Sequence, residues 1–86
     1  GPAVEVRVQA LFGLDWHPMI GTTPLLLQLT SPAGRPIQST RDLPGFWRGS
    51  WRDVAKDMRG RYPRHHWPDA PWEAQASLAT KKRQGI

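Results

Sequence analysis

The 86-residue chain has no cysteine. That excludes a disulfide framework, a thiolate nucleophile and a cysteine-ligated zinc site. No apolar run approaches the ~18 residues of a membrane span, and no charged segment precedes an apolar one at the N-terminus, so no signal peptide is read. A cytoplasmic location is expected, with no membrane partner. Phosphate-cradling glycine loops are missing as well. Neither G-x-G-x-x-G nor G-x-x-x-x-G-K-[ST] occurs, so this stretch does not read as an ATPase by itself. His65-His66 is the only adjacent histidine pair and has no metal-ligand spacing around it. Ser50 has no visibly placed histidine and acid to activate it. No catalytic residue, metal or cofactor is therefore assigned. No internal repeat is present.

What is there is positive charge and aromatic rings. Twelve Lys and Arg against seven Asp and Glu give a net charge of +5, which favours an anionic partner, nucleic acid ahead of a membrane or an acidic protein. The stretch from Phe46 to Trp72 holds four of the five tryptophans and half of the Lys and Arg residues. Aromatics interleaved with arginine suit stacking on bases and neutralising phosphates. They equally suit a small domain packed around large rings. The last dozen residues read as unfolded, which leaves a marginal core for an unstapled domain. The chain is thus expected to be a piece of something larger or to lean on a partner.

Along the chain, Val4, Val8, Leu11 and Phe12 fall at i, i+4, i+7 and i+8, which predicts a helix over residues 3–12 capped by Gly13. Val4, Val6 and Val8 also alternate, so a strand competes, but Gln9-Ala10-Leu11-Phe12 breaks the alternation and the helix is preferred. Residues 14–24 read as a loop punctuated by Asp15, Pro18, Gly21 and Pro24. Residues 25–30 and 35–40 read as a β-hairpin around a Ser31-Pro32-Ala33-Gly34 turn, with Pro36 placing the return strand at an edge. Asp42 can cap a short helix carrying Pro44 in its first turn. Ser50 to Asp53 has the form of a capping box, predicting a helix from Ser50 to about Arg59 that ends at Gly60. On its wheel Trp47, Trp51, Val54, Ala55 and Met58 share one face. Pro63, Pro68 and Pro71 exclude a further helix and predict an extended strap anchored by Trp67 and Trp72. Lys81-Lys82-Arg83 belongs to a basic, flexible tail.

The candidate site follows from this layout. Arg48, Arg52, Lys56 and Arg59 form a stripe beside the apolar face, and Arg61 and Arg64 continue the charge past Gly60. Contact with nucleic-acid phosphate and a plain solvated face both account for such a stripe. Trp47 and Trp51 are assigned to the core. Trp16, Trp67 and Trp72 lie beside prolines, where packing of the loop is commoner than stacking on bases. Asp53 and Asp57 read as ion-pair partners of neighbouring Arg and Lys rather than as a catalytic pair. His17 is read as a loop residue.

Three stretches then carry a family resemblance. Val6 to Gly13 (VRVQALFG) resembles a VRxQxxFG segment. Ser31 to Gln38, continued by Thr40-Arg41-Asp42-Leu43 and Phe46-Trp47, resembles SPAGRPxQxTRDLxxFW. Arg59 to His65, then Trp67-Pro68-Asp69 and Pro71, resembles RGRYPKHxWPxDP. These belong to the C-terminal region of the bacterial HrpB-type, DEAH-like, ATP-dependent helicases, and the match runs in order from about residue 3 to residue 72. Trp51 stands where that family usually has tyrosine, Arg64 replaces a lysine, and the tail after Trp72 is this chain's own. The resemblance implies two RecA-like motor domains upstream, followed by accessory domains that touch RNA or DNA, with the ATP-hydrolysing motifs outside this sequence. The resulting expectation is a monomeric α+β domain over residues 1–72: N-terminal helix, β-hairpin, one or two C-terminal helices and a Pro/Trp-rich strap, with a tail over 73–86. It would bind RNA or DNA without sequence preference through Arg48, Arg52, Lys56, Arg59, Arg61 and Arg64. The alternative is docking on the rest of the helicase chain or on a protein partner.

Overall fold

A computed structural model describes residues 1–77. The tail around Lys81-Lys82-Arg83 lies outside the described residues. The fold is α+β, as expected, but it opens on a strand. β1 (Ala3–Arg7) pairs in parallel with β4 (Leu26–Thr30), with Val4 opposite Leu27 and Val6 opposite Leu29. This overturns the N-terminal helix. Val4 is 40% exposed and never joins the apolar face that its spacing suggested. β-branched Val4 and Val6 suit a pleated surface, and β4 satisfies the backbone of the segment in a way no local signal reveals. Val8–Leu11 then forms a single 3-10 turn that sinks Val8 and Leu11, with Phe12 following, into the core. The predicted loop over 14–24 contains a miniature ribbon, β2 (Met19–Ile20) antiparallel to β3 (Thr23–Pro24).

The predicted hairpin is present. β4 is antiparallel to β5 (Pro36–Thr40), and the sheet order β1-β4-β5 leaves Pro36 on an edge strand. Ser31 closes the turn between them. Its backbone oxygen accepts from Gly34 N–H at 2.8 Å, and its Oγ accepts from the amides of Ala33 and Arg35, each at 3.2 Å. Gly34 takes φ +79, the left-handed conformation that a glycine reaches without penalty.

Two helices follow. α1 (Leu43–Arg48) is capped by Asp42, whose Oδ1 accepts from Gly45 N–H at 3.1 Å. A Cβ on Gly45 would collide with that carboxylate, so the missing side chain makes room for the cap. His17, read as a loop residue, is a clamp: its Nδ1 accepts from Leu43 N–H at 3.0 Å while its Nε2 reaches Leu25 O at 2.7 Å. The amide must donate and the carbonyl must accept, so this geometry assigns the proton to Nε2.

α2 runs from Trp51 to Arg61, which corrects two expectations. Ser50 is already helical (φ −61, ψ −26) and its side chain makes no capping bond, because that bond needs an extended N-cap residue. Gly60 lies inside the helix. The chain leaves α2 at Tyr62 (φ −131, ψ 62), where Pro63 disfavours the helical conformation of the residue before it.

The core is built on rings. Phe12 lies 5.6 Å from Trp51, 6.0 Å from Trp47 and 6.4 Å from Trp67 between centroids, and Trp47 meets Trp51 edge-on at 5.2 Å. Each of the three buried indoles donates its N–H to a loop carbonyl: Trp47 to Leu14 (2.8 Å), Trp51 to Pro68 (2.8 Å) and Trp67 to Tyr62 (2.9 Å). A phenylalanine would leave those part-buried carbonyls without that donor, which accounts for tryptophan at these positions. The strap is pinned by buried Trp67 and Pro71 but is not extended throughout: it turns after Tyr62 and closes in a short 3-10 helix at Pro71–Glu73. This corrects the expectation that its prolines exclude a helix, because proline is tolerated at the first position of one. Gly13 N–H donates to Pro71 O at 2.8 Å, and packing continues past Trp72 to Ser77, whose N–H meets Gln9 O at 3.4 Å. No helix among the described residues is long and apolar enough to cross a membrane.

Candidate nucleic-acid interface

Burying Trp51, Ala55 and Met58, with Trp51 packed into the ring cluster, turns the rest of α2 outward. The six predicted cations all lie on the surface, but their surroundings divide them. Arg52, Lys56 and Arg64 are exposed, and no hydrogen bond or ion pair engages their side chains among the described residues. Arg48, Arg59 and Arg61 are held. Arg48 forks onto the Asp15 carboxylate at 2.7 and 3.0 Å and lies 4.3 Å above the centroid of the Trp72 ring. Arg59 donates to Trp67 O at 2.6 Å and to Asp69 at 3.0 Å. Arg61 donates through Nε to both oxygens of Asp57, at 2.9 and 3.1 Å, one helical turn back.

The charges respond to this pairing. The hydrogen bond from Arg48 holds the Asp15 carboxyl below its ordinary value, and the same bond raises the guanidinium of Arg48. The hydrogen bond to Asp57 likewise raises Arg61. All of these groups are open to water, so the pairs contribute little to stability. What they do is fix where three guanidinium groups stand.

Three of the six predicted cations meet at one place. Arg48, Arg52 and Arg59 line an open cleft of roughly 490 Å3, with Trp51 and Ala55 at its base and the half-buried Trp72 among its walls. Asp69 is the carboxylate lining it. Lys56 and Arg61 belong instead to a shallow recess shared with Asp53, Asp57 and Gly60. Arg64 stands on the turn after the helix, near a smaller recess lined by Arg59, Pro63, His65 and His66. Sequence reasoning missed Asp15 and Trp72 as neighbours of Arg48. The first is 33 residues away, and no local pattern announces such a pairing. Among the described residues no group of three or more His, Asp or Glu side chains is placed to share a metal ion.

Fold and cleft together define a small α+β module with an aromatic core and a basic, partly apolar cleft between α1, α2 and the strap. Comparison with known proteins gives it a family. The sequence profile of HrpB C-terminal regions, described as ATP-dependent helicase C-terminal, matches residues 1–71. The ATP-dependent RNA helicase HrpB of Escherichia coli (strain K12) is 52% identical over 83 residues, which is 94% of this chain and 10% of that protein. The crystal structure of the E. coli DExH-box NTPase HrpB superposes with a TM-score of 0.84 at 51% identity, over 91% of this chain and 10% of the other. The chain belongs to the HrpB-type ATP-dependent helicase C-terminal family, and it spans about a tenth of the length of the curated relative it matches.

Proposed function

We propose that this domain is a non-catalytic accessory module of an ATP-dependent RNA helicase, and that it holds the backbone of RNA or DNA on the exposed face of α2 without reading sequence. The observation that carries this reading is the placement of Arg52, Lys56 and Arg64. They are exposed cations with no carboxylate partner among the described residues. Arg52 lines the cleft, which adds the oriented guanidinium groups of Arg48 and Arg59 and the Trp72 indole, while Lys56 and Arg64 stand outside it, on α2 and on the turn that follows. Free, flexible cations meet phosphates as point charges or forks and release counterions. Trp72 and the aromatic base of the cleft offer a sequence-tolerant surface for a sugar or base edge. ATP hydrolysis is assigned to no residue of this chain, which has no phosphate-cradling loop.

The test is titration of the domain with short single- and double-stranded RNA and DNA at several salt concentrations, with an ATPase assay alongside. Binding should fall steeply and linearly in log K against log salt, should vary little with sequence, and should occur without ATP turnover. Absence of binding to all four nucleic acids at low salt overturns the reading.

A further inference from the structure

A second surface owes nothing to charge. The ribbon of β2 and β3 carries Met19 at 50% and Ile20 at 59% exposure, and Trp16 just before it is 61% exposed. Adjacent residues of a strand point to opposite faces, so Met19 and Ile20 leave both faces of the ribbon apolar and bare. A ribbon of two residues per strand has no stability of its own. It is held from behind: Leu25 N–H donates to Pro18 O at 3.1 Å, and His17 spans Leu25 and Leu43. The sequence thus spends a half-buried clamp on keeping an exposed apolar projection in place.

The position of this projection points to its occupant. A Cβ on Gly1 would lie 3.6 Å from Thr23 Cγ2, so the ribbon stands beside the point where the chain enters the domain. The family is that of a helicase C-terminal region, and the matched stretch is a tenth of the E. coli relative. In a chain of that kind the segment leading into β1 would run beside the ribbon. Size selects the same answer. Three side chains fall far short of the roughly 800 Å2 per partner of a stable interface between separate proteins. A tethered neighbour needs much less, because a short linker supplies an effective concentration of about millimolar.

We propose that the ribbon bearing Met19 and Ile20, with Trp16 just before it, is an apolar projection that inserts with both faces against the preceding domain of its own helicase chain, separately from the cations of α2. Docking would fix the orientation of the α2 face relative to the rest of the helicase.

The two methionines provide the test, since Met19 is half exposed while Met58 is 4% exposed and serves as an internal control. Dilute hydrogen peroxide converts an accessible methionine to its sulfoxide, and peptide mass spectrometry reads each site. In the 86-residue chain Met19 should oxidise readily and Met58 slowly. In the full helicase chain that carries this domain, oxidation of Met19 should slow by about tenfold, as a locally protected site does, with Met58 unchanged. Replacing Trp16→Gln and Ile20→Thr in the full chain should restore the fast rate at Met19. Equal rates at Met19 in the two chains overturn the proposal. So does self-association of the 86-residue chain that itself protects Met19, which makes a second copy the occupant. Protection of Met19 by added RNA in the 86-residue chain also overturns it, by assigning the ribbon to nucleic acid. A failure to bind any nucleic acid would remove the function proposed for α2 and leave this result unaffected.

Discussion

At the scale of single residues, most of the family motif is structural. Phe12 from the first segment, Trp47 from the second and Trp67 from the third meet in one ring cluster. Ser31 and Tyr62 join the second and third segments by a hydrogen bond of 3.1 Å between hydroxyls. A Cβ on Gly34 would lie 3.5 Å from the Arg7 guanidinium, so the first segment also covers the turn of the second. Recognition of the family therefore rested largely on residues that build the fold; of the cations proposed to act, Arg59, Arg61 and Arg64 lie within the third segment, while Arg48, Arg52 and Lys56 lie between the segments. Trp51 is the centre of this cluster, 2% exposed and bonded to Pro68 O. Trp51→Ala should cost about 3–5 kcal/mol, read as a shift of the urea midpoint or loss of the cooperative transition. Trp51→Phe keeps most of the ring volume and removes the donor to Pro68. It should cost less than the alanine variant, and equal losses would mean that the hydrogen bond, not the packing, dominates.

At the scale of elements, the sequence was readable where local chemistry decides and opaque where a distant partner does. The hairpin was legible because Pro32, Gly34 and Pro36 each constrain the backbone on their own. The cap of α1 was legible because Asp42 acts over three residues. β1 was not, because its strand character depends on parallel pairing with β4 more than 20 positions away. The capping box at Ser50 misled for a different reason: the residue types were right, but Ser50 itself takes helical φ and ψ, which leaves its side chain without a capping bond. The two candidate caps therefore give a contrast. Asp42→Ala should cost about 0.5–2 kcal/mol, whereas Ser50→Ala should leave the urea midpoint within error of the parent. A loss at Ser50 equal to that at Asp42 would contradict the observed cap geometry. Gly60 gives a prediction of opposite sign. It is helical, and a Cβ built there meets nothing within 4 Å. Gly60→Ala should stabilise the domain by about 0.5–1 kcal/mol, toward the lower end because the site lies in the last turn. A destabilised variant would mean that the open side of Gly60 is needed by a contact the fold does not show.

At the scale of the whole molecule, the net charge of +5 hides an unequal distribution. Half of the six proposed cations are already engaged by Asp15, Asp57 and Asp69, and half have no partner among the described residues. Two triple variants separate the effect of total charge from that of placement. Replacing Arg52, Lys56 and Arg64 with Gln, or Arg48, Arg59 and Arg61 with Gln, lowers the net charge from +5 to +2 in both cases. If nucleic acid responds only to the long-range field, the two variants must lose affinity alike. If phosphates contact individual side chains, the free set matters more, because an arginine already forked onto a carboxylate has fewer donors to offer a phosphate. The free-set variant should flatten the plot of log K against log salt by up to about three units, one for each lost phosphate contact, and the paired-set variant by less than about one. Stability should move the other way. Surface changes at Arg52, Lys56 and Arg64 should each stay within about 0.5 kcal/mol, while losing Arg48 and Arg59 removes the links that hold Trp72 against α1 and the Trp67–Asp69 strap against α2. The paired-set variant should thus melt at lower temperature while keeping more of the salt dependence. Equal slopes in the two variants would assign binding to net charge alone and remove the α2 face as a defined contact surface.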